Sequence, residues 1–180
     1  MNLENLYSKK RKLYIADKKA RLKLASFERK SQFILRKERA KRLLMLGILV
    51  EKAEIDNQPI ETILGYILEY KNLSPKQEKS FLVEGKKLFL KKSRAEKTRE
   101  IEFSYMTYLE KKKRAHKLIG IGALFEIADL DKKDKGALVG YLIQFKKRDL
   151  HEKKGYNEAG TRILIKRKNN YKQGDKYEKK

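Results

Sequence analysis

The sequence predicts an all-α protein made of two tandem helical repeats with long basic helices, packed as an internal pseudo-dimer. Three observations carry this. Set against itself at an offset of 75 residues, the chain matches Arg39 to Tyr70 with Arg114 to Phe145 without a gap. The match pairs Leu43 with Leu118, Gly47 with Gly122, Glu51 with Glu126, Asp56 with Asp131, Gly65 with Gly140 and Tyr66 with Tyr141. Glycines and an aspartate held in one frame mark a duplication rather than a shared lysine-rich composition. Apolar residues recur at helical spacing in both copies, Leu43, Leu46, Val50 and Ala53 in the first and Leu118, Ile121, Phe125 and Ala128 in the second. The two prolines, Pro59 and Pro75, both fall at predicted helix starts, where the missing amide proton costs least.

Taken in order, residues 1–35 predict a basic N-terminal helix, 36–92 the first repeat, 93–110 a basic helical linker, 111–167 the second repeat and 168–180 a disordered basic tail. Each repeat opens with helix A, a cationic stretch running into an apolar one, Leu43 to Val50 and Leu118 to Phe125. Asp56 and Asp131 sit where a side-chain oxygen can cap the start of helix B. Helix B is expected over 58–71 and 133–147. Ser74-Pro75-Lys76-Gln77 and Asp149-Leu150-His151-Glu152 have the form of capping boxes and open helix C. Two continuations stay open after Pro75: one helix running through the linker into the second repeat, or a break near Ser93.

Gly47, Gly65, Gly122 and Gly140 lie inside predicted helices, where each costs about 1 kcal/mol relative to alanine. Close helix packing offsets that cost, with helix A crossing helix B at the notch left by the missing side chain. A melting point unchanged by Gly47→Leu would contradict this account. Glu51 and Glu126 stand beside apolar surface, where pairing with a lysine, pairing with the other copy and solvation are all open.

The chain carries 47 Lys and Arg against 24 Asp and Glu, a formal charge of +23, so a polyanion is the expected partner. With no cysteine, disulfides and thiolate metal sites are excluded. The first residues lack the apolar core of a secretory signal, and the expected location is cytoplasmic. The longest apolar runs fall far short of the roughly 20 residues that span a membrane.

No enzyme is expected, and no cofactor or metal. Histidine is the usual general base, but His116 pairs with Lys41 across the repeat and His151 stands among charged neighbours at a helix start. Two isolated histidines do not make a zinc site. Gly85-Lys86-Lys87 lacks the earlier glycine and the following Ser or Thr of a phosphate-binding loop. The acidic residues are dispersed among cations, as in i,i+4 pairs such as Glu38 with Arg42 and Glu110 with Arg114.

The functional signal lies in the cationic helix-A starts. Copy one supplies Arg36, Lys37, Arg39, Lys41 and Arg42, and copy two supplies Lys111, Lys112, Lys113, Arg114, His116 and Lys117. Such clusters bind duplex DNA largely through phosphates, releasing counterions, with little sequence specificity.

The string from Arg39 to Ala53, followed by Ile63-Leu64-Gly65-Tyr66-Ile67-Leu68, resembles the conjugal transfer protein TraD family of Ti-type plasmids. These small accessory proteins are distinct from the coupling ATPase that shares the name. The string from Arg114 to Ala128, with Ala137-Leu138-Val139-Gly140-Tyr141, resembles the same pattern: a basic helix start, a Leu-Gly-x-Leu-x-x-x-Ala core, then a Leu-Leu-Gly-x-Leu-Leu helix. Copy two departs from it with Ile121 before its glycine. Gly85 and Gly160 are similar to a later family glycine. The resemblance implies an auxiliary role in conjugative DNA transfer beside a relaxase that nicks at the transfer origin. It leaves as alternatives a helical scaffold that binds an acidic protein and an RNA-binding module. A monomer with internal pseudo-symmetry and a homodimer are both compatible with the repeat.

Overall fold

The computed structural model describes residues 3–90 and 93–177. Among these, all regular structure is helical: α1 (Leu3–Lys52), α2 (Ile60–Glu69), α3 (Pro75–Leu90), α4 (Arg94–Tyr105), α5 (Tyr108–Ile127), α6 (Lys135–Ile143) and α7 (Leu150–Tyr177). Short 3-10 turns, Tyr70–Asn72 and Gln144–Lys147, extend α2 and α6. The chain divides into two compact units, residues 1–41 and 42–180.

Over its described residues the first unit is helix alone. No glycine or proline occurs before Gly47, and Lys, Arg, Leu, Ala and Glu, all strong helix formers, dominate. Asp17 and Arg21 pair at 2.9 Å one turn apart. Leu13, Leu24, Phe27 and Ile34 are all more than half exposed, so the described residues of this unit form no core of their own.

The second unit is an intertwined pair of repeats, and its glycines explain the intertwining. A Cβ on Gly47 would run into the backbone carbonyl of Leu118, and a Cβ on Gly122 into that of Leu43, the equivalent contact with the copies exchanged. Helix A of one copy therefore crosses helix A of the other, not helix B as the sequence suggested. Gly65 on α2 meets the Tyr156 carbonyl of α7, while Gly140 on α6 meets the Phe81 carbonyl of α3. Gly160 and Gly85 return these contacts, against the carbonyls of Glu61 and Gly136. Each helix B thus lies on helix C of the other copy, α2 on α7 and α6 on α3. The result is an internal pseudo-dimer built by exchange.

At its centre Tyr66 and Tyr141, equivalent residues 75 apart, stack with ring centroids 4.4 Å apart and planes 10° apart. Each hydroxyl donates to the other's backbone carbonyl at 2.8 Å. Around them Val50, Leu64, Ile67, Phe125, Val139 and Leu142 are fully buried.

The helix ends show where sequence signals worked and where they were displaced. Ser74 with Gln77 and Asp149 with Glu152 form the reciprocal bonds expected of capping boxes. Asp56 and Asp131 do not cap: Asp134 accepts from the amides of Gly136 and Ala137, and α2 starts after Pro59 with no side-chain cap. Asp56 and Asp131 face cations of the opposite copy instead. Helix A ends in a Schellman-type turn in both copies, with Ile55 N–H reaching the Val50 carbonyl and Leu130 N–H that of Phe125. The left-handed residue there is Glu54 (φ 60°) or Asp129 (φ 53°), without the usual glycine. Their carboxylates meet Lys146 and Lys71, again across the copies.

The chain after α3 does break, since Ser93 caps α4 in a box with Glu96, and it breaks again where Thr107 and Glu110 cap α5. The basic N-terminal segment and helix A of copy one belong to the single helix α1. From Lys168 to Tyr177, where composition predicts disorder, the backbone continues α7; residues 178–180 lie outside the described chain.

Candidate nucleic-acid interface

The cations singled out from sequence divide into two kinds. Three bind the repeats together. Arg42 donates to Glu126 at 2.9 Å and approaches Asp131 at 3.4 Å. The equivalent Lys117 reaches Asp56 at 2.9 Å and the Asn57 side-chain oxygen at 3.2 Å. Arg114 takes Glu51 in a two-pronged pair, with Nε to Oε1 at 3.0 Å, and lies over the Phe103 ring. Both glutamates left open by the sequence thus face an arginine of the other copy, and Arg114 turns away from the expected i,i+4 partner Glu110, which caps α5.

The others point to solvent. In the first unit Arg36, Lys37, Arg39 and Lys41 are exposed, and Arg36, Lys37 and Lys41 have no ion pair among the described residues. At the start of α5, Lys112, Lys113 and His116 are exposed in the same way. Lys111 is half-buried, with its ammonium 5.0 Å from the Phe103 ring centre. The first three turns of α5 therefore present two lysines and a histidine outward, while Arg114 and Lys117 are paired with carboxylates of the other copy.

A further cluster of lysines that the sequence reading passed over forms where α3 of copy one meets the start of α6 of copy two. Lys86, Lys133 and Lys135 line, with Asp134, a shallow depression of about 420 Å³ beside Gly136 and Phe89, and Lys133 pairs there with Glu78 at 3.0 Å. Copy one has Gln58 and Ile60 where copy two has Lys133 and Lys135, so the patch is not repeated. The signal was present in the string Asp-Lys-Lys-Asp-Lys at 131–135, but only the fold brings Lys86 to it.

A smaller cavity of about 260 Å³ lies between α4 and the two A helices, lined by Glu51, Lys52, Glu96, Arg99, Phe103 and Arg114. Its charges are used internally. Lys52 pairs with Glu96 at 2.5 Å, and Arg99 donates to the Glu51 carbonyl. Burial pushes the Glu96 carboxyl up, but bonds from Lys52 and the Ser93 amide outweigh it and hold the group below its ordinary range. Among the described residues no cluster of His, Cys, Asp or Glu could hold a metal ion. No described helix is long and apolar enough to cross a membrane.

Two copies of a three-helix unit, interlocked through glycine notches and bearing outward lysines at a helix-A start, define a tandem-duplicated, basic helical protein. The chain belongs to the conjugal transfer protein TraD family, whose model matches it twice, over residues 35–91 and 109–166. The two matches coincide with the two repeats. No curated protein and no solved structure matches the chain.

Proposed function

We propose that this chain is a non-enzymatic DNA-binding accessory protein of conjugal transfer, which assists a relaxase at the transfer origin by gripping duplex DNA through its phosphates. The observation that carries the reading is that, within the two helix-A starts, Arg36, Lys37 and Lys41 in one unit and Lys112, Lys113 and His116 in the other stay outward and outside the ion pairs that join the repeats. Arg42, Arg114 and Lys117 are structural in this reading and leave the proposed contact set. Family membership supplies the setting, transfer of DNA between cells.

Each cation that neutralises a phosphate adds about one unit to the log–log salt slope of binding, and removing it takes that unit away. The double variant Lys112→Gln/Lys113→Gln is therefore expected to bind duplex DNA more weakly at every sequence, with a slope shallower by about 2. Fluorescence anisotropy over a series of salt concentrations reads both, and an unchanged slope would remove this cluster from the interface. A second reading, a scaffold for an acidic protein, is favoured by the exposed Leu13, Leu24, Phe27 and Ile34 of the first unit, which phosphates cannot cover. Absence of duplex binding at low salt would select it. Tighter binding of duplex RNA than duplex DNA would select the RNA-binding reading.

A further inference from the structure

We propose that the elbow between α4 and α5 is a binding site for single-stranded nucleic acid, with Tyr105 and Tyr108 stacking on bases and Lys112 and Lys113 meeting the phosphates. It shares its lysines with the duplex site proposed above and adds a stacking component that paired, already stacked bases cannot use. The elbow lies between the two family matches, in the segment that joins the repeats.

The two rings stand out from the other tyrosines of this unit whose side chains are described. Tyr66, Tyr70 and Tyr141 are core residues, whereas Tyr105 is 84% and Tyr108 83% exposed. Neither ring has an aromatic or cation partner among the described residues, so both faces are available. Base–aromatic stacking contributes about 1–3 kcal/mol per base and tolerates any base, because every base has a π-face.

The elbow presenting them is held rather than loose. Thr107 donates to Glu110 from its amide and its hydroxyl, each at 2.8 Å, and accepts the Glu110 amide at 3.3 Å. The Met106 amide closes onto the Phe103 carbonyl at 3.3 Å. Phe103 itself is covered by the cations of Lys111 and Arg114, with about 5 Å between charge and ring centre. Lys52–Glu96 and Arg99 with the Glu51 carbonyl tie α4 to helix A of copy one. A backbone fixed before binding loses little freedom on binding.

Charge selects the occupant. Ile101 and Leu109 are exposed nearby and would suit a protein, but the elbow is followed at once by Lys111-Lys112-Lys113, and the adjacent Glu110 is committed to its cap. A chain with alternating π-faces and phosphates matches tyrosines followed by lysines.

The test uses the full chain and labelled oligo-thymidine and oligo-uridine of about 16 nucleotides, the upper end of such site sizes, beside a duplex of equal length. Tyr105→Ala/Tyr108→Ala is expected to weaken single-strand binding at least about fivefold, the lower end of the stacking range for one base. Duplex affinity and melting temperature should stay within error, since both side chains are solvent-facing. Tyr105→Phe/Tyr108→Phe keeps the rings and should bind single strands like the parent. Single-strand affinity unchanged in the alanine variant would overturn the site and return the elbow to a protein partner. Equal losses for duplex and single strands would also overturn it. Parent binding to single strands without duplex binding would defeat the duplex reading and leave this one standing; duplex binding alone would do the reverse. The uridine and thymidine arms distinguish RNA from DNA as the source of the strand.

Discussion

Tyr66 and Tyr141 hold the pseudo-twofold centre by a reciprocal bond that neither residue can make in a single repeat. Each phenol satisfies a buried carbonyl of the opposite copy, and an unsatisfied buried carbonyl costs about 1–3 kcal/mol. Burial pushes the Tyr66 phenol from its ordinary 10.0 up to about 12 and drives Tyr141 further in the same direction. Below pH 10 both folded and unfolded tyrosines keep their protons, and the full contribution is present. Between pH 10 and about 12 the unfolded residue ionises while folded Tyr66 does not, so stability falls as pH rises. Urea unfolding should show Tyr66→Phe less stable than the parent at pH 7 by about 1 kcal/mol, through the lost bond to the Tyr141 carbonyl. The variant should also lose less than the parent between pH 10 and 12. Parallel pH profiles for the two proteins would refute the assignment of this titration to Tyr66.

Among helices, the glycines decide which elements may touch. Gly47 and Gly122 sit where α1 and α5 cross backbone to backbone, so even a methyl group must push the helices apart. Gly120, two residues from Gly122 on the same helix, has nothing within 4 Å of its Cβ position, and copy one carries Met45 there. Gly47→Ala is expected to lower the melting temperature by several degrees, since overpacking costs about 1–3 kcal/mol. Gly120→Ala should raise stability by up to about 1 kcal/mol through helix propensity alone. Thermal unfolding by circular dichroism separates them; a shift of the same sign for both would show that packing is not what the first glycine serves.

The same glycines mark how far the sequence was legible. Their recurrence in one frame announced the repeat and a close approach at each notch, but a notch records that something is near, not what. The partner of Gly47 lies on the other copy's helix A because the copies exchange helices, a long-range fact with no local signature. The ends of helix A were hidden for a different reason. Glu54 and Asp129 take the left-handed turn that glycine usually signals, and their cross-copy lysines are visible only in three dimensions. The capping boxes at Ser74 and Asp149 were legible because all their partners lie within three residues. In the candidate interface, sequence located the cationic clusters but not which members were spent. Arg42, Arg114 and Lys117 look like Lys112 in a string of letters, and only the carboxylates of the opposite copy set them apart.

At the scale of the molecule, the exchange of helices makes the linker a tether rather than a structural member of the core. Every helix of the core packs against the other copy, so cutting between the repeats should leave two fragments that cannot bury their apolar faces separately. The pairing is also polarised. Glu69 of copy one accepts from Tyr156 at 2.8 Å and lies 3.9 Å from Arg148, both of copy two. Residues 81 and 73, which stand in their places in copy one, are Phe and Leu. A homotypic pair of first repeats would set Glu69 against apolar groups with neither partner, an arrangement that costs free energy for a carboxylate only half exposed to water. A full-length chain carrying a protease site at the α4–α5 elbow should therefore, after cleavage, remain a one-to-one complex of its two fragments in native mass spectrometry, with helical content unchanged. Pairs of two first repeats should be absent. Fragments that separate on cleavage would show the linker to be essential for the interlock, and an equal mixture of homotypic and heterotypic pairs would show that the Glu69 cluster does not choose the partner.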